Sequence, residues 1–163
     1  GGWSADWESL YVSVDGKVQR IAIADGRRET LFEGETATES TDGRYLLYSK
    51  SRVPGYFRRL LPAHPGHAPG PEERLVEDYV PSAGGFAPVA DGFFYVGLKP
   101  DREPRAIRFY DYALGQARDL APAPAQVAIG LTVSLDGREL LLAGVDGAPE
   151  TDVVVLEFAQ SRR

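Results

Sequence analysis

His64 and His67, three positions apart in the run His64-Pro65-Gly66-His67, are the first residues in this sequence that offer chemistry. Two imidazoles at that spacing can ligate a metal, but a zinc site needs a third or fourth donor, and a Pro- and Gly-rich loop orients neither ring. They read as loop histidines. The recurrent Asp-Gly pairs lack the dense run of oxygen donors that a calcium loop requires, so turn chemistry accounts for them better. Glu72-Glu73 and Glu77-Asp78 lie on one polar strand and its exit, where solvation explains them. No Gly-x-Ser-x-Gly elbow, no phosphate-cradling glycine loop before a helix and no His-Glu-x-x-His occurs. Nothing assembles a nucleophile, a base and an oxyanion hole, so the expectation is a non-catalytic chain with no cofactor and no metal.

Composition narrows the partners. Lys plus Arg is 18 against 24 for Asp plus Glu, a formal charge of -6 that disfavours a phosphate backbone, so no nucleic acid is expected. A hydrophobic fraction of 43% with no apolar run near ~18 residues reads as a soluble globular chain without membrane contact. With no Cys there is no disulfide or thiolate chemistry, and both periplasm and cytoplasm stay open. A chain that opens on Gly1-Gly2 and has no Met reads as a segment excised from a longer one.

The elements that would position any site come as a repeat. A small or polar residue two places before an Asp, then usually Gly, then an apolar run recurs at Ser4-Ala5-Asp6, Ser40-Thr41-Asp42-Gly43, Val89-Ala90-Asp91-Gly92 and Ser134-Leu135-Asp136-Gly137. The steps between Asp6, Asp42, Asp91 and Asp136 are 36, 49 and 45 positions, the length of one four-stranded propeller blade. Each turn leads into a β-prone second strand, such as Tyr45-Leu46-Leu47-Tyr48, apolar on both faces. Third strands follow at 18–23, 56–61, 106–110 and 153–156, and more polar fourth strands at 29–32 and 117–120. With 18 Gly and 12 Pro interrupting every helical candidate, the fold class is all-β. It is a β-propeller of about four antiparallel four-stranded blades, over 1–34, 35–78, 79–120 and 121–163 of a single domain. Pro62 to Pro71 is expected to be a mobile insertion between third and fourth strands.

These Ser-x-Asp-Gly turns and "YLLYS"-like strands resemble the TolB-like, WD40-like β-propeller repeats found in TolB, in propeller domains of prolyl-oligopeptidase-type peptidases and in sensor proteins. Trp3-Ser4-Ala5-Asp6 and Asp111-Tyr112-Ala113-Leu114-Gly115 carry the resemblance most closely. The Pro of the family turn is missing from all four units, and Trp7 stands where Gly is expected, which predicts a wider first hairpin.

The resemblance implies six to eight blades, whereas about four are present. Open outer faces on the first and last blades would then invite pairing, and two half-propellers about a two-fold axis would close a ring. A closed four-bladed monomer is the rival. The expected partners are therefore a second copy of this chain or a protein or peptide held at the channel mouth, and the expected role is a binding scaffold. The alternative is the propeller portion of a peptidase or other enzyme. On or near the loops that face the channel mouth, Arg52, Tyr56, Tyr79, Lys99, Arg102 and Arg105 are the residues able to engage an anionic or peptide group.

Overall fold

The computed structural model describes residues 2–62, 67–77, 85–98, 104–123, 126–134, 137–145 and 151–157, and all their regular structure is β. The first sheet holds β1 (Gly2–Trp3), β2 (Ser9–Val14), β3 (Lys17–Ala22) and β4 (Arg28–Glu33). In the second lie β5 (Glu35–Glu39), β6 (Tyr45–Ser49), β7 (Tyr56–Leu60) and β8 (Glu73–Val76). The third comprises β9 (Phe86–Val89), β10 (Gly92–Leu98), β11 (Pro104–Asp111) and β12 (Gln116–Pro122). The last has β13 (Gln126–Val133), β14 (Glu139–Val145) and β15 (Thr151–Glu157). Each sheet pairs its strands antiparallel in chain order, the meander of a propeller blade. Every strand expected from the sequence is present within the described residues. The chain divides into two compact units, Gly1–Glu77 with the first two sheets and Asp78–Arg163 with the last two.

A side chain builds the turn between the first two strands of a blade. In the second sheet Ser40 Oγ donates to Asp42 Oδ1 at 2.6 Å and accepts from Tyr45 N at 3.0 Å, while Arg44 N donates to the same carboxylate oxygen. The backbone closes the loop through Gly43 N to Ser40 O and Ser40 N to Tyr45 O. Gly43 takes a φ of 71°, a region closed to most side chains. The first sheet reproduces this network: Ser4 Oγ bonds Asp6 and Ser9 N, Glu8 N bonds Asp6, and Trp7 N reaches Ser4 O at 3.0 Å. Trp7 adopts φ 63° to do so. The wider first hairpin expected from the sequence is therefore not formed, because the serine–aspartate hydrogen bonds hold the loop and the tryptophan backbone accommodates them. Ser134 repeats the pattern with Glu139 N at 2.9 Å.

The third blade departs. With Val89 in place of serine, β9 and β10 join through two residues and Val89 pairs directly with Gly92. Here glycine is required for space: a Cβ on Gly92 would lie 2.0 Å from Tyr110 O.

In the first unit Tyr11, Val18, Leu46, Tyr48 and Phe57 are buried together, with the Phe32 ring tilted against Tyr48 at 4.5 Å. In the second, Phe93 stacks on Tyr110 at 5.2 Å while Leu140 and Leu142 are fully buried. Each such side chain contributes roughly 1.5–3 kcal/mol by leaving water. Gly70 N donates to Leu60 O at 2.8 Å and Gly70 O accepts from Arg59, so this part of the stretch expected to be a mobile loop is tied to β7.

Two substitutions check the turn. Ser40→Ala leaves Tyr45 N and the Asp42 carboxylate short of a partner and should lower unfolding free energy by about 1–3 kcal/mol in urea titrations followed by circular dichroism. Trp7→Gly, which relieves a left-handed backbone, should raise it by roughly 1 kcal/mol.

Candidate functional site

The β1–β2 turn, the β3–β4 turn and the β5–β6 turn all lie at one end of the first unit, since Ser9 pairs with Ala22 and Tyr45 with Leu60. There, with Leu61 and Pro62, they enclose a cleft of about 690 Å³. Tyr11 and Arg20 form its inner wall, and Trp7 and Ile23 stand at its mouth. Trp7 is 69% exposed and lies 5.8 Å from Trp3, itself 49% exposed, so two indoles face solvent side by side.

Glu39 ends β5 inside this cleft. Its Oε2 accepts from Ala5 N at 2.6 Å, joining the two turns, and burial raises its carboxyl above the usual range despite that bond. Arg20 is committed elsewhere, to Glu29 at 2.6 Å. Burial, and then the Glu39 charge, push the Tyr11 hydroxyl up to about 12, so it is a neutral donor at physiological pH. Asp6 and Asp42 shift the other way, each held below its ordinary value first by the serine hydroxyl of its own turn.

One charged pair recurs in three of the sheets. A third-strand arginine sits directly opposite a fourth-strand acid: Arg20 and Glu29, Arg58 and Glu73, Arg108 and Asp119, at 2.6, 2.7 and 2.7 Å. Partly exposed cross-strand pairs contribute only about 0.2–1 kcal/mol each, so their weight is in fixing register. The last sheet places Val155 at this position, opposite Leu141. Beside the second pair, Tyr48 Oη donates to Glu72, which also takes Lys50 Nζ at 2.7 Å, while Arg59 Nε donates to Tyr48 Oη. Burial pushes Glu72 up, but the Lys50 and Tyr48 hydrogen bonds outweigh it and leave the carboxyl below its ordinary value. Glu72 and Glu73 thus have specific partners, beyond the solvation expected of them.

Of the residues proposed from sequence for the channel mouth, the side chains of Arg52 and Tyr56 are described. Arg52 is exposed in the β6–β7 loop, whereas Tyr56 opens β7 fully buried, with no accessible ring to offer a ligand. Arg105 lies on β11, its side chain outside the described set, as are Tyr79, Lys99 and Arg102. His67 is exposed and His64 falls outside the described residues. Among the described residues no three His, Asp or Glu side chains are placed to hold a metal. Glu39 carried no sequence signal, because its isolation depends on a neighbouring blade's turn. Trp7 did carry one: an aromatic in a glycine position.

No protein-family model and no curated protein matches this sequence. Solved structures do match the fold. TolB from Acinetobacter baumannii aligns over 96% of this chain and 40% of its own, with TM-score 0.72 and 18% identity. A protein described as TolB from Agrobacterium tumefaciens aligns over 96% and 56%, at 0.71 and 21%. A chain of a nidogen/laminin complex aligns over 88% and 55%, at 0.65 and 15%. An oligogalacturonate lyase from Vibrio parahaemolyticus and a prolyl endopeptidase also match. The fold is thus that of TolB-like propeller blades, and the chain spans about half the length of the propellers it resembles.

The opposed shifts predict a pH signature. The Asp6 and Asp42 contributions are present above the ordinary aspartate range and lost as pH falls through their lowered values. Glu39, being raised, contributes most when protonated and loses that contribution as pH rises through its folded value. Glu39→Gln, which keeps an acceptor for Ala5 N, should therefore gain stability relative to the parent between pH 4 and 7, read from denaturant midpoints.

Proposed function

We propose that this chain is a non-catalytic propeller scaffold that binds protein, with a second copy of itself as the first such partner. The supporting observation is an uncovered apolar sheet face. On β6 the four residues Leu46, Leu47, Tyr48 and Ser49 are all fully buried, and on β10 Phe93, Tyr95 and Val96 are too. Strands of this kind are covered on both sides. On β2 only Tyr11 is; Leu10 pairs with Trp3 and Ile21 on the opposite face, where Trp3, Val14 and Ile23 are 49%, 42% and 51% exposed. In the last sheet Leu140 and Leu142 are buried, but Val155 on the other face is 52% exposed. A surface of this type is what another blade covers, and two copies related by a two-fold axis would cover both such faces at once. The nidogen/laminin likeness is in keeping with a propeller that works by holding protein. A second reading, the propeller portion of an enzyme, draws on the lyase and endopeptidase likenesses and would require a catalytic domain elsewhere in the parent gene.

Light scattering across a hundredfold concentration range separates these. The scaffold reading expects a dimer that Ile21→Glu converts to monomer with unchanged circular dichroism; a monomer at every concentration overturns the self-pairing.

A further inference from the structure

From the cleft of the first unit we infer a second binding site, one that takes the cationic side chain of an arginine or lysine presented by a protein partner. Three independent features converge there. The cleft, about 690 Å³, is large enough for one long side chain and part of its backbone. Its mouth carries the Trp7 indole, 69% exposed and packed 5.8 Å from Trp3, a surface suited to an alkyl stem and to a cation lying over a ring. Of the four acids that line it, Asp6, Glu8, Glu29 and Glu39, it is Glu39 that ends β5 within the cleft, anchored by Ala5 N through Oε2 and in none of the ion pairs of the described residues. The second oxygen, Oε1, lies on the side of Gly43, 3.8 Å from where a Cβ on that glycine would stand.

The other charges of the lining leave this carboxylate available. Arg20 is neutralised by Glu29 at 2.6 Å, and Asp6 is taken up by Ser4 and Glu8 N within its turn. Arg27 is exposed at the rim and opposes a cation weakly. A planar guanidinium can stack on an indole while donating to a carboxylate, and an ammonium on its four-carbon stem can make the same two contacts less well. Anions are disfavoured by Glu39 itself. The position of Trp7 supports the assignment: the equivalent turns use Gly43 and Gly137 at φ 71°, whereas this one places an exposed aromatic ring at the cleft.

The site can be read directly, because Trp3 and Trp7 are the two tryptophans of the chain. Nα-acetyl-L-argininamide is titrated into 15N-labelled protein while the two indole N–H resonances are followed, with Nα-acetyl-L-citrullinamide as the uncharged match in shape. A saturable shift is expected for the arginine compound and not for the citrulline one. Glu39→Gln should weaken binding roughly tenfold or more, since it removes a charge-assisted hydrogen bond. Trp7→Gly, which suits the turn, should weaken it several-fold when binding is followed by calorimetry. Arg27→Gln should tighten it. No saturable shift, an equal response to citrulline, or an unchanged affinity in Glu39→Gln would overturn the assignment. Because Trp3 and Ile23 also lie on the face proposed for self-pairing, the titration is repeated in Ile21→Glu; binding that persists there with unchanged affinity separates the site from the self-pairing.

Discussion

A serine hydroxyl that donates to an aspartate two residues on, and accepts from the backbone five residues on, is the constraint from which the blades follow. In the Ser40 turn these bonds are 2.6 and 3.0 Å, and they define a four-residue loop before Tyr45 resumes the sheet. Side chains in a strand alternate between faces, so a slip of one residue would invert every position of β6. With the loop fixed, Leu46 and Tyr48 share one face with Tyr11 and Val18, and Leu47 takes the other. The arginine–acid pairs then fall into line two strands further out, because Leu47 sits opposite Arg58 and Arg58 opposite Glu73. Local turn chemistry thus determines non-local packing.

The same constraint explains how the first blade tolerates Trp7. A left-handed backbone is unfavourable for an aromatic residue by roughly 1 kcal/mol, but the serine–aspartate bonds close the loop regardless of the side chain at that point. The turn can accept a residue that local propensity alone would reject, and the indole is then displayed where Gly43 displays nothing. The third blade shows the opposite case. Without serine at Val89 the loop contracts to two residues, and Gly92 is held against Tyr110 by close contact.

Most of the architecture was legible before any coordinates, because its signals are local. The Asp-Gly turns, the doubly apolar runs such as Tyr45 to Tyr48, and the spacing between Asp6, Asp42, Asp91 and Asp136 each lie within a short window. What was hidden depends on pairing across distance. Arg58 and Glu73 are opposite one another only because β7 and β8 align across an intervening loop. Glu39 is distinctive only because Ala5, 34 positions earlier, gives it a hydrogen bond. Tyr56 was expected to open the third strand beside the channel-mouth loop, and it does pair with Ser49, but its ring is buried in the core and only the packing of the sheet shows that. The sequence marked Trp7 as anomalous; only the turn geometry showed that the anomaly leaves the hairpin intact.

The arginine–acid pairs bear on how such a chain can be assembled over evolutionary time. In three of the sheets the charged third-strand residue is paired with an acid on the strand beside it, within its own blade. Duplicating or deleting a whole blade therefore carries both halves of the pair together and strands no charge at a new junction. The last sheet, with Val155 in the arginine's place, needs no acid from a fourth strand at that position. A gene built this way can lengthen or shorten by whole repeats while each of these pairs stays intact.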